Sequence, residues 1–255
     1  MNTATTRHSP RRRIGILICD EIAAPLGTIH GQYGQMFARL LAAQAAQFEL
    51  VSYRAYADEL PSTVDACDAY LISGSRRSVY DDLPWIKSLT DFLRALHRAR
   101  RRVVGICFGH QLIGQAMGGR TELAPQGWGL GRQVAQVLAS RPWMQPAASA
   151  YALYAVHQDQ VTALPPGARR LASTTHCENA MFDLDGLFLG VQAHPEFAHD
   201  YARAITANKR GLVPDELLER ALPSFAEPVD AALIAGWITA FLSAEPDPAA
   251  ASEAS

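Results

Sequence analysis

A cysteine flanked by glycines is the residue of this sequence whose position points most directly to chemistry. Cys107 follows an apolar run and lies in the segment Gly105-Ile106-Cys107-Phe108-Gly109-His110-Gln111. This spacing matches a strand-to-helix elbow, in which a Cβ on either side of the nucleophile would crowd the backbone. Such an elbow lifts the thiol above the carboxyl edge of a sheet, at a helix N-terminus that favours the thiolate. We therefore predict that Cys107 is a nucleophile rather than a small buried apolar residue, the usual role of a free cysteine.

A thiol nucleophile needs a general base, and one of the eight histidines has a suitable position. His194 ends an apolar run and is followed by Pro195 and Glu196, so its side chain is expected at a sheet edge. Glu196 is close enough in sequence to orient the imidazole. The sequence thus predicts a nucleophile, a base and an orienting carboxylate in the order Cys107, His194, Glu196. His110 begins the next helix and is interpreted as structural.

Acyl transfer also requires N–H donors for the developing oxyanion. The backbone N–H of Phe108, directly after the nucleophile, is one candidate. The second donor is expected from residues 73–80, which follow another apolar run. The glycine-rich segment 127–131 does not predict a dinucleotide site, because we expect no strand before it and no helix after it.

The elements that must position these residues alternate between short apolar runs and longer amphipathic runs. The apolar runs predict strands at residues 14–19, 48–53, 68–73 and 103–107. Helical periodicity predicts helices near residues 32–46, from Pro84 to about Arg98, and at residues 111–117. Asp81 or Asp82 is expected to cap the second of these helices. Residues 27–34 are interpreted as a loop over the site, either structural or substrate-lining.

Beyond residue 130 the pattern changes to short strands separated by turns, predicted at residues 133–139, 151–156, 170–174, 179–184 and 187–193. Asp185-Gly186 is a hairpin signal between the last two. Helices are predicted at residues 198–209, 214–221 and 229–242. The fold class is therefore α/β, with a doubly wound, mostly parallel sheet, flanking helices and a small antiparallel portion. We expect a single domain at residues 13–243 between flexible tails at residues 1–12 and 244–255.

Composition excludes several classes of protein. The chain has 255 residues, of which 49% are hydrophobic and 19% charged, so it can bury a sizeable core. The net charge of −2 gives no basic field for nucleic acid. The four cysteines form no CxxC pair that would suggest a metal site, and no apolar run is long enough to span a membrane. We therefore expect a cytoplasmic protein with free thiols, without metal or cofactor.

The paired motifs carry a family resemblance. Residues 107–111 and 194–196 resemble the class I glutamine amidotransferases, and the stand-alone GMP-synthase-like branch is the most similar group. Residues 81–86 and 157–161 also resemble that branch, and the resemblance extends over roughly residues 14–200. It implies a flavodoxin-like fold. It further implies a Cys-His-Glu triad that releases ammonia from a γ-carboxamide through a γ-glutamyl thioester.

The resemblance also assigns roles to other residues. It implies that the backbone amides of Ser75 and Phe108 form the oxyanion hole. It implies that Gln111 and the segment Gln158-Asp159, together with Gly74, bind the substrate. The sequence departs from the family at three positions: Ser75 stands where relatives often have glycine, Arg76 where many have proline, and Val156 where some have a polar residue.

Three functions remain open at the level of sequence. The first is a self-sufficient hydrolase of glutamine or of a γ-glutamyl amide or peptide. The second is a glutaminase subunit that passes ammonia to a separate synthetase, since the sequence contains no P-loop and no SGGxDS signature of its own. The third, less favoured because the triad is intact, is a non-catalytic regulatory relative. A homo-oligomer is possible in each case.

Overall fold

The computed structural model describes residues 11–44 and 46–244. In this part of the chain, nine strands form one sheet and two form a second. The strands are β1 (Arg12–Leu17), β2 (Phe48–Tyr53), β3 (Ala69–Ile72), β4 (Arg102–Ile106), β5 (Arg120–Leu123), β6 (Gly129–Val137), β7 (Ala150–His157), β8 (Asp159–Ala163), β9 (Ala168–Ser173), β10 (Met181–Leu184) and β11 (Phe188–Val191). The α-helices are α1 (Leu26–His30), α2 (Tyr33–Leu40), α3 (Pro84–Arg98), α4 (Phe108–Ala116), α5 (His199–Ala207), α6 (Asp215–Ser224) and α7 (Ala231–Ser243).

Half of the large sheet is parallel. Its strands follow the order β2-β1-β3-β4-β11, and each neighbouring pair runs in the same direction. The central strands β3, β4 and β11 are buried along their whole length, which explains why they read as continuous apolar runs. Because these strands are parallel, their carboxyl ends meet at one edge of the sheet, where an open α/β sheet places its site.

The other half of the sheet is antiparallel and continues it in the order β11-β10-β9-β6-β7. Asp185 and Gly186 connect β10 to β11 with φ values of 55° and 64°, so the predicted hairpin turn is confirmed. Strands β5 and β8 form the separate two-stranded sheet and were not predicted. The α/β class and the doubly wound sheet with flanking helices and an antiparallel portion are confirmed, and the antiparallel portion has as many strand pairs as the parallel one.

The core lies on both faces of the large sheet. Ile14 and Ile16 of β1 belong to a buried cluster with α2 and α7. Tyr70 and Ile72 of β3 belong to a second buried cluster with α3 and α4. Each of these two strands contributes to both clusters because its successive side chains point to opposite faces of the sheet. Helix α7 packs in the first cluster through an apolar stripe made of Trp237, Ile238, Phe241 and Leu242, and Trp237 is buried.

Several predicted boundaries were wrong. Strand β1 begins at Arg12, two residues before the predicted strand and at the last residue of the expected tail. Arg12 joins the strand because its backbone N–H donates to the backbone oxygen of Gln47 and its main chain pairs with β2. The remainder of both expected tails, residues 1–10 and 245–255, lies outside the described residues. Helix α2 ends at Leu40 rather than near residue 46. Helix α1 occupies part of the expected loop 27–34.

The expected cap of α3 was also wrong. Leu83 is the N-cap residue, with extended backbone and no side-chain cap hydrogen bond, while Pro84 occupies the first turn as expected. Asp82 instead pairs with Lys87 in an exposed ion pair, and Asp81 accepts a hydrogen bond from the backbone of Ser78.

Candidate active site

The predicted elbow is present at the carboxyl end of β4. Cys107 lies between β4 and α4 as the N-cap residue of the helix, with φ of 50°. A residue with a Cβ rarely adopts this conformation, and such strain is typical of functional sites. The flanking glycines explain how the turn fits. A Cβ at Gly105 would lie 2.3 Å from the carbonyl carbon and oxygen of Gly109, and a Cβ at Gly109 would lie 2.6 Å from the carbonyl oxygen of Ile72.

His194 lies next to this thiol. It follows β11, and its backbone N–H donates to the carbonyl oxygen of Tyr154 at 2.9 Å, which fixes the main chain beside β7. Its Nδ1 lies 2.7 Å from Oε1 of Glu196, and only 3% of the His194 side chain and none of the Glu196 side chain is exposed. The Phe197 ring stacks on the imidazole with centroids 3.8 Å apart. The imidazole is therefore held on one edge by a carboxylate and on one face by an aromatic ring.

Opposing electrostatic effects act on His194. Burial disfavours the imidazolium and lowers the pKa, whereas the negative charges of Glu196 and Cys107 raise it more strongly, to about 10. The hydrogen bond between His194 and Glu196 adds to this increase. The imidazolium is therefore the favoured form of His194 near neutral pH.

The other three thiols have a different environment. Cys19, Cys67 and Cys177 are buried and unpaired, and burial raises the pKa of each, to about 12 for Cys177. Burial therefore keeps them as neutral thiols near neutral pH. Of the four cysteines, Cys107 is the one whose charge helps to raise the pKa of His194.

Two backbone N–H groups lie where oxyanion donors were expected. Phe108 is the first residue of α4, and Ser75 follows Gly74 in the loop after β3. Within the described residues, neither N–H donates to another protein group. A Cβ at Gly74 would lie 2.9 Å from Cε1 of His194 and 3.7 Å from Cβ of Cys107. The loop after β3 therefore runs against the side chains of His194 and Cys107, and the missing Cβ permits this approach.

A cavity of about 450 Å³ opens above Cys107 and His194. Of the predicted substrate-binding residues, Gln111, Gln158 and Asp159 line it, as does Ser75. Gln111 already donates from Nε2 to the backbone oxygen of Asp159 at 2.7 Å. The Asp159 carboxylate accepts hydrogen bonds from the hydroxyls of Ser78 at 2.5 Å and Tyr80 at 2.9 Å. Asp159 thus also ties the corner between β7 and β8 to the loop after β3.

Sequence reasoning missed several residues of the cavity. Asp20 accepts from the backbone N–H of Arg76 at 2.8 Å and forms a two-pronged ion pair with its guanidinium at 2.8 and 2.9 Å. This pair holds the loop that carries Ser75. Tyr33 and Tyr201 line the wall above His194. Residues in three separate segments form this wall, so no local motif could have revealed it.

The remaining buried histidines have structural surroundings. His110 is buried, bonds through Nε2 to the backbone oxygen of Asn179 at 2.8 Å, and burial lowers its pKa to about 4. This agrees with its predicted structural role. His157 bonds through Nδ1 to the backbone oxygen of Asp159, and burial together with the nearby His176 lowers its pKa to about 3.

Among residues 11–44 and 46–244, no His, Cys, Asp and Glu side chains cluster in a way that could hold a metal ion. None of the helices in these ranges is long and apolar enough to cross a membrane.

Comparison with known proteins identifies relatives. The family model for glutamine amidotransferase class-I matches residues 29–209. The chain is 33% identical over 178 residues to gamma-glutamyl peptidase 4 of Arabidopsis thaliana, covering 67% of this chain and 70% of that protein. It is also 33% identical over 174 residues to the GMP synthase [glutamine-hydrolyzing] of Thermus thermophilus, covering 62% of this chain but only 32% of that longer protein.

A solved structure supports the fold. The glutamine amido transferase from Methylobacillus flagellatus superposes with a TM-score of 0.69, at 22% identity and over 91% of this chain and 93% of that one. The family model covers most of the chain, including the elbow and His194. The chain therefore belongs to the class I glutamine amidotransferase family.

Proposed function

We propose that this protein hydrolyses a γ-glutamyl amide, either glutamine or a γ-glutamyl amide or peptide. One observation carries the proposal: the Glu196 carboxylate lies 2.7 Å from Nδ1 of a buried His194, and His194 and Cys107 line the same open cavity. This is the arrangement of an activated nucleophile, a base and an orienting group. The peptidase and GMP synthase relatives support a γ-glutamyl substrate.

In the proposed reaction, the Cys107 thiolate attacks the γ-carbonyl carbon, and a carbon–sulfur bond forms. The backbone N–H groups of Ser75 and Phe108 donate to the oxyanion. The imidazolium of His194 gives its proton to the amide nitrogen as the carbon–nitrogen bond breaks, and ammonia or an amine leaves. A water molecule then attacks the thioester carbonyl carbon and gives a proton to the neutral imidazole of His194. The carbon–sulfur bond breaks, glutamate leaves, and the Cys107 thiolate and the His194 imidazolium are restored. Glu196 orients the imidazole throughout.

Residues around the thiol are proposed to bind the glutamyl head group of the substrate. Gly74, Gln111, Gln158 and Asp159 lie at the cavity and are proposed to contact the glutamyl part. No step of this reaction calls for a metal or a nucleotide. We propose that residues 13–243 act as one domain, and the four unpaired cysteines support a cytoplasmic location.

A second candidate function is a glutaminase subunit that docks on a separate synthetase. The observation that favours it is the match to GMP synthase, which covers only 32% of that protein. In this reading the thioester chemistry is the same, but activity depends on the partner. Activity of the pure protein therefore separates the two.

The test is release of ammonia from L-glutamine and of aniline from a γ-glutamyl anilide by the purified protein. We expect release from at least one substrate, its loss in Cys107→Ala, and its retention in Cys67→Ala, a matched variant at a buried thiol outside the cavity. A covalent adduct of one glutamyl group, trapped by acid quench and absent in Cys107→Ala, would identify the thioester. Normal activity of Cys107→Ala would refute the proposal, whereas silence of the folded wild-type protein on both substrates would favour the partner-dependent function.

A further inference from the structure

The cavity above Cys107 extends well beyond the reactive side chains. Trp128, Ile205 and Lys209 line it together with Cys107 and His194. A volume of about 450 Å³ lies in the range typical of sites for ligands larger than one amino acid. These residues come from the connection before β6 and from the end of α5, outside the strands that carry the nucleophile. The cavity therefore has space for a substituent on the leaving nitrogen.

The wall formed by Trp128 and Lys209 has a specific electrostatic character. The Nζ atom of Lys209 lies 3.9 Å from the centroid of the Trp128 ring, which fixes the ammonium by a cation–π contact. Lys209 is half-buried, and no carboxylate among the described residues lies within ion-pair distance of it. Burial, and secondarily the charge of Arg76, lowers its pKa. A partly desolvated ammonium without a counter-charge is a favourable site for an anion.

The other charged groups of the cavity do not satisfy Lys209. The Asp20 carboxylate is bound by Arg76, and that of Asp159 by two hydroxyls. Glu21 and Arg77 are exposed residues of the cavity lining. Arg77 adds a second positive charge, and Glu21 a negative one. Within the described residues, Lys209 is the half-buried cation of this cavity without an acidic partner.

We propose that Lys209, held against Trp128, binds a carboxylate of the leaving amine, so that the preferred substrate is a γ-glutamyl amino acid or peptide rather than glutamine. The inference rests on the proposed function, because it names the leaving group of that reaction. Glutamine releases ammonia, which carries no carboxylate that could pair with Lys209 beside Trp128. An amino-acid leaving group places a carboxylate beyond the scissile bond, where the ammonium can pair with it.

The test compares γ-glutamylglycine with γ-glutamylglycinamide, which differ only in the carboxylate of the leaving group. The quantity to measure is the ratio of their kcat/KM values in each variant, relative to the ratio in the wild type. This double comparison removes the difference in basicity between the two amines. In Lys209→Met, which keeps most of the apolar stem, we expect the ratio to fall about tenfold, the value of one charge-assisted hydrogen bond. The change should appear in KM rather than kcat.

Two variants serve as controls. Lys209→Arg keeps the positive charge and should retain most of the preference. Lys87→Met removes the other lysine of the chain, which pairs with Asp82 outside the cavity, and should leave the ratio unchanged. Binding of both dipeptides to the Cys107→Ala protein by calorimetry, with and without Lys209→Met, provides a readout that does not require turnover.

The outcomes are distinguishable. An unchanged ratio in Lys209→Met would overturn the inference while leaving the proposed function intact. Equal losses on both dipeptides and on L-glutamine would also overturn it, because Lys209 would then serve the glutamyl part or the fold. If no substrate is turned over but the Cys107→Ala protein binds γ-glutamylglycine through Lys209, the proposed function fails and the carboxylate site stands. If neither turnover nor preferential binding is observed, both fail.

Discussion

Glu196→Gln is the perturbation that most directly probes the proposed chemistry. It keeps the shape of the side chain and removes one negative charge that lies 2.7 Å from Nδ1 of His194. With charge centres roughly 4 Å apart and an effective dielectric constant of about 20, the lost attraction is about 4 kcal/mol. At about 1.4 kcal/mol per pKa unit, the pKa of His194 should fall by about three units. It would therefore move from about 10 to about 7.

This shift predicts a change in the pH–rate profile. In the wild type, the negative charge of Glu196 raises the pKa of His194 to about 10, so we expect the alkaline limb of kcat/KM near that pH. In Glu196→Gln the alkaline limb should move to near neutral pH. The amide that replaces the carboxylate can also turn its NH2 group towards Nδ1 and so favour the wrong imidazole tautomer, and we expect kcat at pH 7 to fall about 10²- to 10⁴-fold.

The assay is amine release from a γ-glutamyl anilide between about pH 5 and about pH 11, in steps of roughly half a pH unit. Glu178→Gln is the matched control, because Glu178 is an exposed residue paired with Arg170 away from the cavity. Circular dichroism and thermal unfolding check that both variants fold. An alkaline limb that stays in place in a folded Glu196→Gln protein would refute the electrostatic role assigned to Glu196.

Three further predictions follow from the geometry. Gly105→Ala should lower the free energy of unfolding in urea by more than about 3 kcal/mol, because its Cβ would meet main-chain atoms at 2.3 Å. The control Gly236→Ala should be tolerated, because its Cβ would have its nearest neighbour at 4.0 Å. Equal stabilities of the two variants would contradict the close approach at the elbow. Because burial lowers the pKa of His110 from 6.5 to about 4, the unfolded state binds more protons in this window, and up to about 3 kcal/mol of stability should be lost as the pH falls from 6.5 to 4. In His110→Gln the free energy of unfolding should depend less steeply on pH between 6.5 and about 4. An unchanged slope would contradict the assigned contribution of His110. Asp20→Asn should lower kcat about three- to tenfold, because Asp20 holds the loop that carries the oxyanion donor. Arg76→Ala keeps the backbone hydrogen bond to Asp20 and should lower kcat less. A larger loss of kcat in Arg76→Ala would show that the guanidinium, rather than the backbone hydrogen bond, holds the loop.

The local signals of the elbow were sufficient to predict much of the fold. The glycines around Cys107 and the apolar run before it specify a buried strand followed by a tight turn, because few other structures accommodate that combination. The same reasoning located β2 at its observed bounds and the hairpin at Asp185. It failed for β5 and β8, which are short and carry polar residues, and for which pairing with each other decides the conformation.

The sequence by itself determined the family, the parallel half of the sheet and the identity of the candidate nucleophile and base, because these depend on local spacing and on runs of apolar residues. Only the tertiary structure decided which distant side chains meet at the cavity. The pairing of Asp20 with Arg76, the contact of Asp159 with Ser78, and the seating of Lys209 on Trp128 each join residues more than fifty positions apart. Such contacts depend on how whole elements pack, and no local pattern in the sequence encodes them.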